Sequence, residues 1–335
     1  MTTAPQNPIT RAIWDGTLPI KFSLDATEAA ALGAKTIIEP YFVFRGSRGG
    51  AGGVYLSMNL HLINRLQMCT YEDQIRKYFV DMALNFIGDD AEIWYDVDGT
   101  PLKWHYPIGL LFDLHTGYRP DSNSPPPLPW PVTVHFKNFP ADKLIRAQEI
   151  DATQDFFMSM IKEADFLRNG STKKVMNLSK NDQTQLWDGL WSIFIVLFTS
   201  FVCILHKCLN NLINCNQIYR TENYERFWSV NYRLVINDGQ MPRHIPLRIY
   251  LPENCPVIQE PVTPVDENGN QLTLGDVLHQ ILPDLFPSPV AGENNSTAAP
   301  VIHGVIPQLE MPIVWASQNL CYPDNFLHIV VLMGI

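Results

Sequence analysis

The stretch that decides the fold runs from residue 93 to residue 114 and reads IWYDVDGTPLKWHYPIGLLFDL. Its first five residues are mostly aromatic or β-branched, which predicts a strand at 93–97. Asp98 and Gly99 follow with the two-residue signal of a tight hairpin turn. The apolar residues from 102 to 114 predict a second extended segment after this turn.

Further strands and one helix flank this hairpin. Apolar and β-branched residues predict strands at 18–24, 37–44 and 132–136. The apolar positions of residues 70–87 recur at helical spacing. A short sheet packed on one helix is the composition of a β-grasp, or ubiquitin-like, module.

The same order of elements returns after residue 243. Thr273 and Asp276 have the spacing of a capping box at the start of a helix predicted at 273–285. Residues 287–300 are predicted to form a loop. The strands of this second set are predicted at 245–251, 257–265, 301–306 and 326–333.

The segment between the two sets, residues 151–228, has helical character, with Asp151 as a predicted cap and Gly170 as a predicted helix end. The pattern therefore predicts an α+β protein with two β-rich modules of one type, each with the order of elements that a β-grasp requires, and a helix-rich segment between them. The predicted domains are residues 1–140, 141–240 and 241–335.

Composition excludes several classes of protein. A net charge of −10 argues against a general nucleic-acid binder, because phosphate neutralisation needs clustered Lys and Arg. The N-terminal residues lack the apolar core of a secretion signal, so we expect a cytoplasmic protein with reduced cysteines. Cys203, His206, Cys208 and Cys215 lack paired zinc spacing, so we expect no metal site and no cofactor.

Two stretches fit the predicted fold badly. Residues 45–70 are rich in glycine and have no clear pattern. Residues 191–205 form an apolar run without charge, shorter than the roughly 20 residues of a membrane span. We favour an insert at 191–223 that is foreign to the fold, and the alternative is a membrane-anchored adaptor that uses residues 191–205 as its anchor.

Four long segments resemble the autophagy protein 5 family. They lie in the family's order along the chain, from the first predicted module to the C-terminus. They are GTPLKWHYPIGLLFDL at 99–114, TVHFK at 133–137, FMSMIKEAD at 157–165 and YPDNFLHI at 322–329.

The resemblance implies two ubiquitin-like domains flanking a helical domain, as the pattern of elements also predicts. It implies that Lys162 accepts an isopeptide bond to the C-terminal glycine of the ubiquitin-like autophagy protein 12. An N-terminal helix of autophagy protein 16 would hold the conjugate. The conjugate would act with the conjugating enzyme of autophagy protein 8 in joining that protein to phosphatidylethanolamine, peripherally on preautophagosomal membranes.

Helix geometry agrees with an acceptor role for Lys162. At about 100° per residue, Phe156, Phe157, Met160, Ala164 and Leu167 share one helix face, and Lys162 projects roughly opposite. Asp165 is expected on the same polar side, where it would favour the charged ammonium. By geometry alone Lys162 is one of several lysines on a solvated helix face, and the resemblance singles it out.

Other candidate sites are weaker. Trp104, His105 and Tyr106 lie on a predicted strand, where they would either fill the core or line a partner groove. Trp315 and Tyr322 have the same two interpretations. A cysteine-dependent transferase would need a reactive thiol, and Cys255 and Cys321 lie in no recognisable motif. We therefore expect a scaffold without a catalytic residue of its own.

Overall fold

The computed structural model describes residues 7–16, 18, 20–31, 41–42, 92–117, 128–146, 150–191, 224–236, 240–252, 255–287 and 297–333. Within these residues the helices and strands are, in chain order, α1 (Pro8–Asp15), β1 (Ile20–Leu24), α2 (Ala26–Ala31), β2 (Tyr41–Phe42), β3 (Trp94–Val97), β4 (Thr100–Pro101), α3 (Ile108–Thr116), β5 (Trp130–His135), α4 (Ile150–Asn169), α5 (Lys173–Met176), α6 (Lys180–Trp191), α7 (224–235), β6 (Leu247–Tyr250), α8 (Leu274–Ile281), β7 (Ala298–Val301), α9 (Ile313–Asn319) and β8 (Leu327–Met333).

The chain divides into two compact units. The N-terminal unit comprises Asp15–Thr116 and Ser122–Thr153. The C-terminal unit comprises Met1–Trp14, Gly117–Asp121 and Gln154–Ile335, so α4 from Gln154 onwards and helices α5 to α7 belong to the same unit as the second predicted module. The predicted domain boundaries after residues 140 and 240 stay predictions.

The N-terminal unit contains a five-stranded sheet in the order β2-β1-β5-β3-β4. β1 and β5 pair in parallel at its centre, and the other neighbours are antiparallel. Ile20, Phe22 and Leu24 are buried, while Lys21 and Ser23 between them are half-buried. This period of two places one face of β1 against the core, and β1 lies within the strand that the sequence predicts at 18–24.

The predicted hairpin turn is confirmed, but the segment after it is not extended. Asp98 and Gly99 both have positive φ, of 49° and 77°, which is the geometry of a two-residue hairpin turn. Residues 104–106 then form a turn, and α3 occupies 108–116. The predicted extended segment at 102–114 is therefore wrong, because an apolar run of this length also suits a helix that is buried on most sides.

The C-terminal unit has a three-stranded sheet in the order β6-β8-β7, with β6 parallel to β8. α8 packs Leu274, Val277 and Leu278 into the core beneath this sheet. The predicted capping box is present, since the Thr273 side chain accepts a hydrogen bond from the Asp276 backbone and the Asp276 carboxylate accepts one from the Thr273 backbone.

Two strand predictions in this unit need correction. Residues 257–265 form isolated bridges, such as Ile249 with Ile258, rather than a continuous strand. β7 occupies 298–301, so it begins within the predicted loop at 287–300 and ends at the first residue of the strand predicted at 301–306. Ile302 bridges Val305 directly after it. Its Pro300 is tolerated because β7 lies at the edge of the sheet, where one row of backbone groups needs no strand partner.

The helices of this unit pack closely on one another. α4 begins at Ile150, so Asp151 lies inside the helix rather than at its cap, and Gly170 ends it at a positive φ of 71°. Trp14 of α1 stacks against Phe227 of α7 with ring centroids 5.6 Å apart. The helix predicted at 70–87 and the odd stretches at 45–70 and 192–223 lie outside the described residues. None of the helices that the structure describes is both long enough and apolar enough to cross a membrane.

Candidate functional site

Lys162 lies in the middle of α4, with its side chain half-buried. Within the described part of the chain, no hydrogen bond or ion pair engages its amine. Asp155 and Ser159 on the preceding turns are exposed, and so is Phe166 one turn later, with 56% of its surface accessible. Lys162 therefore lies on the side of α4 that is open to an approaching protein.

The buried face of α4 differs from the predicted one. Phe157, Ile161 and Ala164 are buried, and the charged Asp165 and Arg168 are buried with them. Asp165 accepts hydrogen bonds from the backbone of Val175 at 3.1 Å and from Asn169 at 2.6 Å. The expectation that Asp165 shares the polar side of Lys162 is therefore wrong, because the backbone N–H of Val175 in α5 binds its carboxylate in the interior.

Arg168 reaches into the second module of the C-terminal unit. Its guanidinium lies 3.5 Å from the carbonyl oxygens of Ser317 and Asn325. Burial lowers the pKa of this guanidinium, and the nearby Cys321 and Asp165 oppose that shift. Burial also raises the pKa of the Cys321 thiol to about 11, so this thiol stays protonated at neutral pH.

Glu163, the neighbour of Lys162, is held by two residues of the second module. Its carboxylate accepts hydrogen bonds from Arg248 at 3.2 Å and from Gln259 at 2.6 Å. Arg248 also donates to Gln259 at 2.7 Å, which closes a three-residue ring. The Arg248 guanidinium carbon lies 4.0 Å from the ring centroid of Phe326.

This ring, Glu163–Arg248–Gln259, is the part of the site that the sequence analysis missed. Glu163 is 85 positions from Arg248 and 96 positions from Gln259 along the chain. No local pattern links residues at such separations, and only the alternation of β6 suggests which way Arg248 points. The ring fixes the rotation of α4 about its axis, and with it the direction in which Lys162 projects.

The three aromatic residues predicted as part of a groove do not lie on a strand. Trp104, His105 and Tyr106 occupy the turn before α3, and neighbouring rings lie 5.5 Å and 4.7 Å apart, edge to face. Trp104 is buried, and its indole donates a hydrogen bond to the carbonyl oxygen of Ile145 at 2.6 Å. His105 and Tyr106 are half-buried.

Trp315 and Tyr322 belong to the C-terminal unit and differ from each other. Tyr322 is buried and stacks on His303 with ring centroids 3.9 Å apart. Trp315 is 39% exposed on α9, one turn before Asn319. Asn319 helps to line a cavity of about 250 Å³, whose other lining residues are Asn7, Thr10, Trp228, Tyr232, Val235, Ile236 and Gln318.

Three regional family profiles match the chain. The profile described as "Autophagy protein ATG5, UblA domain" matches residues 56–136, and the alpha-helical bundle region of the same protein matches residues 150–202. The UblB domain matches residues 244–331. The UblA match begins within the odd stretch at 45–70, and the helical match ends within the predicted insert at 191–223.

The fold is similar to a solved structure. A crystal structure of Atg5 from Kluyveromyces marxianus superposes with a TM-score of 0.64 at 18% identity, covering 96% of this chain and 98% of that one. Together with the UblA and UblB matches, this likeness confirms the predicted α+β fold of two ubiquitin-like domains with a helical region between them.

Relatives similar over their whole length extend across fungi and animals. "Autophagy protein 5" of Aspergillus fumigatus is 31% identical over 97% of this chain and 95% of its own length. The protein of the same name from Penicillium rubens is 30% identical over 97% and 96%, and the one from Drosophila melanogaster is 29% identical over 98% of both. The chain therefore belongs to the autophagy protein 5 family, and its role is in autophagy.

Proposed function

We propose that Lys162 is the acceptor of an isopeptide bond to the ubiquitin-like autophagy protein 12, and that this chain is a scaffold without a catalytic residue of its own. The observation that carries the proposal is the position of Lys162. It lies within the segment 157–165 that resembles the family's acceptor region, on the accessible side of α4. Its amine has no competing partner among the described residues.

The chemistry requires little from the acceptor beyond access. The neutral Nζ of Lys162 attacks the carbonyl carbon of a thioester that joins the modifier's C-terminal glycine to a cysteine of the conjugating enzyme. The new C–N bond forms as the C–S bond breaks, the thiolate leaves on the enzyme, and the amine gives up its proton. Because an ordinary lysine is protonated at neutral pH, one proton leaves the ammonium before the attack and a second leaves the nitrogen as the amide forms. The approaching enzyme supplies the base for these two losses.

The surroundings of Lys162 favour its use as an acceptor. The Glu163–Arg248–Gln259 ring holds one side of α4, and the buried Asp165 and Arg168 hold another. The amine is thus presented from a fixed helix, which reduces the entropy lost when the enzyme docks. The exposed Phe166, one turn on, offers an apolar contact to the incoming protein.

The remaining partners follow from family membership as part of the same proposal. The cavity beside α7 and α9 is lined by both apolar and polar residues, among them Val235, Ile236 and Asn319, and we assign it to the apolar face of a helix such as that of autophagy protein 16. The conjugate then promotes the lipidation of autophagy protein 8 with phosphatidylethanolamine, by way of that protein's conjugating enzyme. The chain is cytoplasmic and contacts preautophagosomal membranes peripherally.

The test is reconstituted conjugation with the activating enzyme, the conjugating enzyme and the modifier. Lys162→Arg should abolish the slower-migrating adduct, and peptide mass spectrometry of the wild-type adduct should find the branched peptide at Lys162. Lys173→Arg and Lys180→Arg are matched controls, since both lysines are exposed on the neighbouring helices and should leave the adduct unchanged. An adduct at full level in Lys162→Arg would overturn the site assignment.

The scaffold part of the proposal has its own test. Cys255 is exposed, whereas Cys321 is buried. Cys255→Ser and Cys321→Ala should each leave both the adduct and the lipidation of autophagy protein 8 at wild-type rates. Loss of lipidation with a normal adduct in either variant would indicate a thiol that takes part in transfer.

A further inference from the structure

Four titratable side chains meet beside the sheet of the N-terminal unit. Asp25 precedes α2, and Glu28 lies in its first turn. His135 is the last residue of β5, and Asp96 lies beside it on β3. Donor atoms of Asp25, Glu28 and His135 all lie within 4.8 Å of one another.

The imidazole of His135 lies beside the carboxylates of Asp25 and Glu28 at the start of α2. Its Nε2 lies 2.8 Å from Oδ1 of Asp96, and its Nδ1 lies 3.9 Å from Oε1 of Glu28. If the Nε2 proton is donated to Asp96, Nδ1 is left with a free lone pair directed at Glu28. A carboxylate behind a histidine is the arrangement that fixes ligating imidazoles in metal sites.

The ring of His135 is also held from one face. Trp94 stacks on it with ring centroids 3.9 Å apart and an interplanar angle of 10°. The Trp94 indole is itself fixed by a hydrogen bond to the carbonyl oxygen of Lys137 at 2.8 Å. The imidazole therefore has little freedom to rotate away from Glu28.

Among the described residues, no cationic side chain of lysine or arginine balances the carboxylates of this cluster. Asp25, Glu28 and Asp96 bring three carboxylates around one imidazole, and no Lys or Arg of the described residues forms an ion pair with any of them. Asp25 accepts hydrogen bonds from the backbone N–H groups of Thr27 and Glu28 and from the Thr27 hydroxyl, which hold its carboxylate in place. Glu28 is buried and accepts bonds from the backbone of Phe136 and Lys137. An excess of negative charge at a half-buried position is stabilised by a bound cation.

We propose that Asp25, Glu28 and His135 form a binding site for one divalent transition-metal ion of the Zn²⁺ type, with Asp96 as a positioning residue. Imidazole and carboxylate donors suit such an ion. Two ligand atoms each about 2.1 Å from a tetrahedral ion lie about 3.4 Å apart, so the 3.9 Å pair needs to close only slightly. The bound ion would join the start of α2 to the end of β5.

This site differs from the expectation that the chain has no metal centre. That expectation rests on cysteine and histidine spacing along the chain. Here the ligands come from two elements that are more than a hundred residues apart, so no linear motif reveals them. The site is independent of Lys162 and of the proposed conjugation.

The test uses the untagged full-length chain, stripped with a chelator and titrated with Zn²⁺ by calorimetry and with Co²⁺ by visible absorption. Wild type should bind one ion with a Co²⁺ spectrum of nitrogen and oxygen ligation, without thiolate charge-transfer bands. His135→Gln should weaken binding at least tenfold, and Asp96→Asn should weaken it by about 10 to 100-fold, the usual effect of losing the carboxylate behind a ligating histidine. Asp25→Asn retains the ability to cap α2 while removing a charged ligand, so it should weaken binding without unfolding the protein.

His279→Gln is the matched control, because His279 lies on α8 in the C-terminal unit, and it should bind as wild type does. Circular dichroism and the unfolding temperature of each stripped variant identify any loss of fold. A Zn²⁺ concentration that just saturates wild type should raise the unfolding temperature of wild type and of His279→Gln by more than that of Asp25→Asn. No saturable binding to wild type, or binding that is unchanged in both Asp25→Asn and His135→Gln, would overturn the proposal.

Discussion

Replacement of Arg248 by alanine should lower the free energy of unfolding of the C-terminal unit by about 3 kcal/mol. The Arg248 side chain is 13% exposed and makes four kinds of contact at once. It pairs with Glu163, donates to Gln259, lies over the ring of Phe326 and contacts Met160 at 3.2 Å. Alanine removes all of them.

The magnitude follows from the exposure of each contact. Glu163 is 37% exposed, so its ion pair contributes no more than about 1 kcal/mol. The bond to Gln259 is exposed as well and adds about 0.5 kcal/mol. The guanidinium over Phe326 and the burial of the methylene stem each contribute about 1 kcal/mol, because both are shielded from water.

Two companion variants separate these contributions. Arg248→Met keeps the stem over Phe326 and loses the charge, so we expect a loss of about 2 kcal/mol. Glu163→Gln removes only the ion pair, and its loss of no more than about 1 kcal/mol should shrink at high salt. Urea unfolding followed by tryptophan fluorescence measures all three, provided that the slope with denaturant is unchanged.

Two results would refute this reasoning. A loss below about 0.5 kcal/mol for Arg248→Ala would show that the ring contributes no more than an ordinary surface contact. Equal losses for Glu163→Gln and Arg248→Ala would place the whole effect in the ion pair, against the exposure of Glu163.

Two further predictions concern packing and acid stability. Gly189→Ala should lower the unfolding temperature, because the added Cβ would lie 2.9 Å from the backbone nitrogen of Phe227. This clash costs about 1 to 3 kcal/mol and outweighs the gain in helix propensity of about 1 kcal/mol. A higher unfolding temperature would contradict this prediction. Burial tends to raise the pKa of Asp324, but its contacts with His328 and Arg248 lower it on balance below the ordinary value of 3.8. The ionised Asp324 therefore stabilises the fold fully above pH 3.8, and this contribution is lost as the pH falls through the lower folded-state pKa. Asp324→Asn should flatten the acid side of a plot of unfolding temperature against pH. An unchanged acid side would refute the assignment.

The sequence predicts the parts of the fold that local chemistry determines. The hairpin at Asp98 and Gly99 follows from the need for positive φ at both positions, and the start of α8 follows from the capping box of Thr273. The alternation of β1 and the apolar run of β8 are equally visible.

The errors occur where tertiary packing overrides local preference. α3 is buried on most of its surface, so its apolar residues show no clear period and suggest a strand. β7 contains two alanines and a proline, which are poor strand formers, and it is a strand only because β8 offers an edge to pair with. Neither outcome is visible without the neighbouring element.

The two sides of α4 show why the candidate site was only half predictable. Sequence resemblance identifies Lys162, but polarity alone places Asp165 with it on the solvent side. Arg168 lies one turn after Asp165 on α4. The structure buries both charged residues because Val175, Ser317 and Asn325 offer them backbone partners. The buried Asp165 and Arg168 prevent α4 from rotating about its axis. Such a rotation would expose Phe157 and leave those backbone groups unpaired. The inward charges thus fix the helix, and the lysine on its other side can remain unpaired and accessible.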